Sequence, residues 1–116
     1  MAELLVDTDV FVDHLRGARP LRPERDSLHY SVVTRCELFA GPAAQEETVA
    51  TLLAPFRELA VDRDVAETAG RIRRETGVRT PDALIAGTAL VNGLTLVTRN
   101  ARDFERVPQL RLRVPR

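Results

Sequence analysis

The 116-residue sequence has no lysine, a single cysteine and no net charge, 17 basic residues balancing 17 acidic ones. Every basic residue is an arginine, so any mechanism that needs a lysine is excluded; arginine also suits bidentate phosphate contacts better than lysine does. One cysteine, Cys36, can neither close an internal disulfide nor build a cysteine zinc site, and is expected as a small buried apolar side chain. Zero net charge argues against a generally adhesive nucleic-acid binder. No apolar stretch approaches the roughly 20 residues that span a bilayer. Met1-Ala2-Glu3 lacks the basic start and apolar run of a secretory signal, which leaves a cytoplasmic protein without membrane contact as the expectation. There is no phosphate-binding P-loop, no G-x-G-x-x-G turn and no G-x-S-x-G nucleophile elbow.

What is present alternates between two periods. Leu4 to Val6 and Leu94 to Val97 read as short buried strands; Leu28 to Val32, Leu59 to Val61 and Leu110 to Val114 are weaker ones. Between them lie helical stretches. One runs from a Thr8 or Asp9 cap to Leu15 before Gly17, and a second opens at Thr34 and stops at Gly41-Pro42. A third covers Gln45 to Ala54, with Pro55 after it. The next begins at Asp64 and ends at Gly77, its apolar stripe being Val65, Ala69 and Ile72. The last covers Asp82 to Asn92, with Pro81 before it and Gly93 after it. Ala18 to Ser27 reads as an irregular polar connection, and Asn100 to Phe104 as a turn or short helix. Strands alternating with helices predict one α/β domain over residues 1–116, a mostly parallel sheet with helices on both faces.

Four acids stand where strands give way to helices: Asp7, Glu37, Asp82 and Asp103. In an open parallel sheet, ligands bind outside the carboxyl ends of the strands. Carboxylates gathered there repel one another unless a proton or cation intervenes, and a hard divalent cation with oxygen ligands is the natural partner. Asp7 has a capping alternative, but Asp9 is the expected cap, leaving Asp7 to face the crevice. Thr34 and Glu37 have capping-box spacing, yet Glu37 lies on an otherwise apolar helix face and is expected to meet burial. Asp82 opens the most apolar helix of the chain. Asp103 competes with Asn100 for the fourth position. His14 and His29 do not form a metal pair by spacing.

These residues resemble PIN-domain ribonucleases, most closely the VapC-type toxins of bacterial toxin–antitoxin pairs. The likeness covers nearly the whole chain. It rests on Leu5-Val6-Asp7-Thr8-Asp9-Val10-Phe11, on Ser31-Val32-Val33-Thr34 leading to Glu37-Leu38, and on Pro81-Asp82-Ala83-Leu84-Ile85-Ala86. Gly93 to Asn100 and Arg102-Asp103-Phe104 complete it. The resemblance implies a three-layer α/β/α sandwich and an endoribonuclease using Mg²⁺ or Mn²⁺. The family's catalytic acids carry over to Asp7, Glu37 and Asp82, with Asp103 or Asn100 fourth; Asp7 and Asp82 would hold the metal. Thr8 and Thr98 could donate hydrogen bonds to phosphate or to the carboxylates. Arg residues between Arg16 and Arg25, with Arg99 and Arg102, are candidates for RNA phosphates. The resemblance also implies a homodimer and a cognate antitoxin partner.

Two alternatives compete. Asp7-Thr8-Asp9 after a strand also resembles the nucleophile motif of haloacid-dehalogenase phosphohydrolases, but that pattern wants Thr or Val at Phe11 and usually a lysine. The other is a non-catalytic module of the same fold, which would have no reason to gather repelling carboxylates.

Overall fold

The computed structural model describes residues 3–17 and 27–115. Five strands, β1 (Glu3–Val6), β2 (Ser27–Ser31), β3 (Arg57–Leu59), β4 (Thr95–Val97) and β5 (Leu112–Arg113), form one sheet in the order β3-β2-β1-β4-β5. Every pairing is parallel; Leu5 lies opposite His29 on one side and Leu96 on the other. The helices are α1 (Thr8–Leu15), α2 (Val32–Phe39), α3 (Glu46–Leu53), α4 (Arg63–Thr76), α5 (Thr80–Asn92) and α6 (Ala101–Phe104), with a 3₁₀ turn at Ala43–Gln45. No helix among the described residues is long and apolar enough to cross a membrane.

Successive strand residues point to opposite faces, and here that alternation divides the core in two. Leu5 and Leu96 pack with Ala69, Ile72, Ile85, Ala86 and Phe104 beneath α4, α5 and α6. Leu4, Val6 and Val97 pack with Val10, Phe11, Tyr30, Leu38 and Leu53 on the other face. This is the three-layer α/β/α sandwich. A sheet buried on both faces explains why its central strands are continuous apolar runs. Phe11 meets Tyr30 and Phe56 edge-on, ring centroids 6.0 and 5.4 Å apart.

Helices α4 and α5 form as their punctuation predicts. Val65, Ala69 and Ile72 are the buried stripe of α4, Pro81 lies in the first turn of α5, and Gly77 and Gly93 close the two helices with φ of 74° and 67°, a region open to glycine. Gly87 lets the two helices approach: a Cβ there would stand 3.1 Å from the Val65 carbonyl oxygen and 3.3 Å from the Ala69 nitrogen.

Several boundaries differ from the sequence expectation. The cap of α4 is Asp62, whose side chain accepts from the Val65 N–H at 2.9 Å, and Asp64 sits inside the first turn. α5 begins at Thr80, so Pro81 and Asp82 are both helical. β3 is Arg57–Leu59 rather than Leu59–Val61: its register follows a polar cluster in which Tyr30 Oη and Arg35 both hydrogen-bond Glu58, so apolarity is a poor guide to this edge strand. β5 is shorter than the expected Leu110 to Val114. α2 starts at Val32, three residues early, because Ser31 and not Thr34 caps it, accepting from the Val33 N–H at 3.1 Å. Thr34 and Leu38 then take its inward face, which turns Cys36 and Glu37 to the exposed side, against both expectations of burial. The polar connection, with Arg19, Arg22 and Arg25, lies outside the described residues except for Ser27, which opens β2.

Candidate active site

From β1 the chain crosses to β2 on one side, and β4 returns on the other, so the order reverses between β1 and β4. That reversal opens a crevice at the carboxyl ends of the strands. A cleft of about 340 Å³ occupies it, with Asp7, Asp9, Asp13, Glu37 and Asp82 in its wall, Thr8 and Asn100 between them, and Arg16 as the basic lining residue.

Asp7 is the most constrained of the acids. It follows β1, is 5% exposed, and its backbone N–H donates to the Val97 carbonyl at 2.9 Å. Its extended φ/ψ of −72°/155° makes it the cap of α1, correcting the expectation that Asp9 would cap. Oδ1 accepts from the Thr8 N–H at 2.8 Å and Oδ2 from Thr98 Oγ1 at 2.8 Å. Burial pushes its carboxyl from the ordinary 3.8 to about 7, with Asp9 and Asp82 adding repulsion and the Thr98 and Thr8 hydrogen bonds opposing it. Capping and facing the cleft are therefore both true of Asp7.

Asp9, freed from the cap, turns toward β4. Its carboxylate accepts from the Arg99 backbone N–H at 3.1 Å and stands 3.3 Å from Thr98 Oγ1. Burial raises its pKa, the Arg99 and Thr98 contacts opposing. A hydroxyl has one hydrogen, and that of Thr98 serves the nearer Asp7. Asp9 is a cleft residue that the sequence reading missed; its position two residues after Asp7 was the available signal. Arg99 forms an ion pair with Asp13.

Glu37 belongs to no capping box. Its Oε1 accepts from Thr8 Oγ1 at 2.6 Å, and Thr8 Oγ1 in turn lies 2.9 Å from Thr34 Oγ1. Asp82, half-buried in the first turn of α5, has its pKa raised by burial, then by the charges of Asp103 and Glu37; Arg79 opposes this. Asn100 lines the cleft and its N–H donates to Thr98 Oγ1 at 3.0 Å. Asp103 is exposed and not in the lining, but near enough for its charge to act on Asp82. The structure thus brings Asp7, Thr8, Glu37, Asp82 and Asn100 to one cleft, with Thr98 buried beside them and Asp103 outside. His14 is half-buried on α1, and His29 is buried in β2, its Nδ1 3.2 Å from the Leu4 carbonyl.

Among the described residues, no three His, Cys, Asp or Glu side chains stand in an arrangement that could hold a metal ion as they are. The donor set is nevertheless all oxygen, and burial first, then the charge of neighbouring acids, raises the Asp7 and Asp82 carboxyls. Those are the conditions a hard divalent cation relieves.

The family model described as PIN domain matches residues 4–110. Ribonuclease VapC19 of Mycobacterium tuberculosis is 36% identical over 121 residues, covering 91% of this chain and 95% of that protein. The chain belongs to the PIN-domain family of VapC ribonucleases. The tRNA(fMet)-specific endonuclease VapC of Salmonella typhimurium is 31% identical, with 97% of each chain covered. A toxin–antitoxin complex from Klebsiella pneumoniae contains a chain that superposes with a TM-score of 0.79 at 30% identity, over 92% of this chain and 94% of that one. VapBC2 from Rickettsia felis, solved bound to a promoter DNA fragment, shares the fold with a TM-score of 0.84 at 20% identity, over 98% and 99%. This membership removes the basis of the haloacid-dehalogenase alternative.

Proposed function

We propose that the cleft is the active centre of an Mg²⁺- or Mn²⁺-dependent endoribonuclease, with Asp7, Glu37 and Asp82 as its acids and the whole of residues 1–116 as one domain. The observation that carries the reading is the meeting of Asp7, just past β1, with acids from α2 and α5 in one crevice, with Asp7 buried and raised to about 7. Asp7 and Asp82 would hold the cation. When bound, it would neutralise charge on the scissile phosphate and favour ionisation of water. Thr98 and the Thr8 N–H hold the Asp7 oxygens in place. Glu37 takes the proton of the attacking water at Oε2, the oxygen that Thr8 leaves free. The water oxygen bonds to phosphorus in line as the P–O3′ bond breaks, leaving a 5′-phosphate and, once O3′ is protonated, a 3′-hydroxyl. Asp103 acts on Asp82 by its charge, and Asn100 is placed to touch the substrate.

The substrate is RNA, with tRNA or rRNA as the class, in keeping with the tRNA specificity in one relative's name. Because net charge is zero, recognition falls to local contacts such as Arg16 and to RNA shape and unpaired bases. The chain would act as a toxin held by a cognate antitoxin, as in the similar solved complexes, and as a homodimer. The test is cleavage of a tRNA and rRNA pool by the wild-type, Asp7→Asn and Asp82→Asn proteins with Mg²⁺, Mn²⁺ or EDTA. Discrete fragments that need metal and vanish in both variants are expected. A folded Asp82→Asn protein with full activity would overturn the assignment.

A further inference from the structure

Glu37 is an exposed side chain on α2, and an exposed glutamate ordinarily samples several rotamers. Among the described residues its hydrogen-bond partner is Thr8, whose Oγ1 donates to Oε1 at 2.6 Å. Thr8 has one hydroxyl hydrogen, and it lies on that bond. The 2.9 Å contact between Thr8 Oγ1 and Thr34 Oγ1 can then run in one direction only: Thr34 donates and Thr8 accepts. Thr34 is fully buried, at 0% exposure, in the first turn of α2, one helical turn before Glu37 on the same helix. The result is a directed chain, Thr34 to Thr8 to Glu37, that crosses from α2 to α1 and returns.

We propose that Thr34 is a positioning residue for Glu37, acting through the Thr8 hydroxyl. Without a donor behind it, the Thr8 hydroxyl is free to rotate and to offer its hydrogen elsewhere in a cleft crowded with carboxylates. With Thr34 donating into its lone pair, its hydrogen is directed at Glu37 Oε1, which leaves Oε2 of this cleft-lining residue free of Thr8. Chained hydrogen bonds polarise one another, and here the chain is anchored at its buried end, Thr34, and runs out to the exposed Glu37. The inference rests on the nuclease reading above, in which Glu37 accepts the proton of the attacking water. It adds a residue that does not line the cleft.

The test compares Thr34→Val, which keeps the buried volume and removes the donor, with Thr34→Ser, which keeps the donor, in the full-length protein. Thr34→Val is expected to lower kcat for metal-dependent RNA cleavage about tenfold, less than the roughly 10²–10⁴-fold that a general base contributes, because Glu37 is misaligned and not removed, with KM within twofold. Thr34→Ser should restore most of the loss. In a Glu37→Gln background Thr34→Val should cause little further loss, because residues acting as one unit are not additive. A crystal structure of Thr34→Val should show the Glu37 carboxylate released from Thr8. Equal loss in both backgrounds, or an unmoved Glu37 carboxylate, would overturn the positioning role while leaving the nuclease reading intact. Wild-type protein that cuts no RNA, or a Glu37→Gln protein as active as wild type, would overturn the nuclease reading and with it this role for Thr34.

Discussion

Thr98 Oγ1 donates to Asp7 Oδ2 at 2.8 Å, joining the ends of the two central strands across 91 positions of sequence. Both side chains are buried, so the hydrogen bond holds a carboxylate where water does not reach it freely. Thr98→Val keeps the shape and removes the donor. With Asp7 ionised, at pH 8, the loss should be about 1.5–3 kcal/mol of stability, the range for a hydrogen bond to a charged group. At pH 5, where Asp7 carries a proton, the loss should be smaller. Since this hydrogen bond lowers the Asp7 pKa, its removal should also move the acid limb of the pH–rate profile to higher pH. Urea titrations at the two pH values and a pH–rate profile check both outcomes.

Asp7 should make the metal-free protein less stable as pH rises. Its folded pKa, about 7, lies above the ordinary 3.8 of an unfolded chain. Between those values the native state binds more protons than the unfolded one, so its stability falls with rising pH. The full penalty is present above pH 7 and absent below about pH 4, and a shift of this size corresponds to on the order of 4 kcal/mol. Asp9 and Asp82 are raised as well and add to the same slope. Melting temperatures at pH 5 and pH 8 in EDTA should fall for wild type and fall much less for Asp7→Asn. Adding Mg²⁺ should recover stability mainly at pH 8, where the carboxylates are charged and binding does not have to displace protons.

Two glycines separate packing from propensity. Gly87 is where α5 meets α4, and a Cβ there would press on the backbone of Val65 and Ala69. Gly87→Ala should therefore cost about 1–3 kcal/mol, as overpacking does. Gly70 lies on the exposed side of α4 with nothing within 4 Å of an added Cβ. Gly70→Ala should stabilise by roughly 0.5–1 kcal/mol through helix propensity. Thermal denaturation of the two variants should move in opposite directions; equal shifts would refute the close approach of α4 and α5.

The parts legible in sequence were those decided locally. Pro81, Gly77, Gly93 and the Val65–Ala69–Ile72 stripe mark α4 and α5 because caps and periodicity act within a few residues. Asp7 and Asp82 were visible as acids at strand and helix boundaries. What escaped depended on distant partners. Val32 is β-branched and reads as the end of a strand, until Ser31 is seen to cap the helix that it opens. Asp9 has the composition of a cap but accepts from Arg99, 90 positions away, which leaves the cap to Asp7. Thr34 and Glu37 have capping-box spacing, but Thr8 from another helix takes both side chains. No local rule contains these contacts.

Asp103 and Asn100 are separable by how each reaches the site. Asn100 lines the cleft, whereas Asp103 stays outside the lining and acts on Asp82 as the largest charge contribution raising its pKa. Asp103→Asn removes that repulsion, so Asp82 should lose its proton at lower pH and the acid limb of the pH–rate profile should move down. Less negative charge around the cleft should also raise the Mg²⁺ concentration needed for half-maximal activity by a few-fold. Asn100→Ala leaves the charge of the site unchanged and should raise KM for RNA without moving the acid limb. Cleavage rates between pH 5 and 9 across a Mg²⁺ titration distinguish the two roles. An acid limb that moves with Asn100→Ala and not with Asp103→Asn would exchange them, making Asn100 the partner of Asp82 and Asp103 a substrate contact.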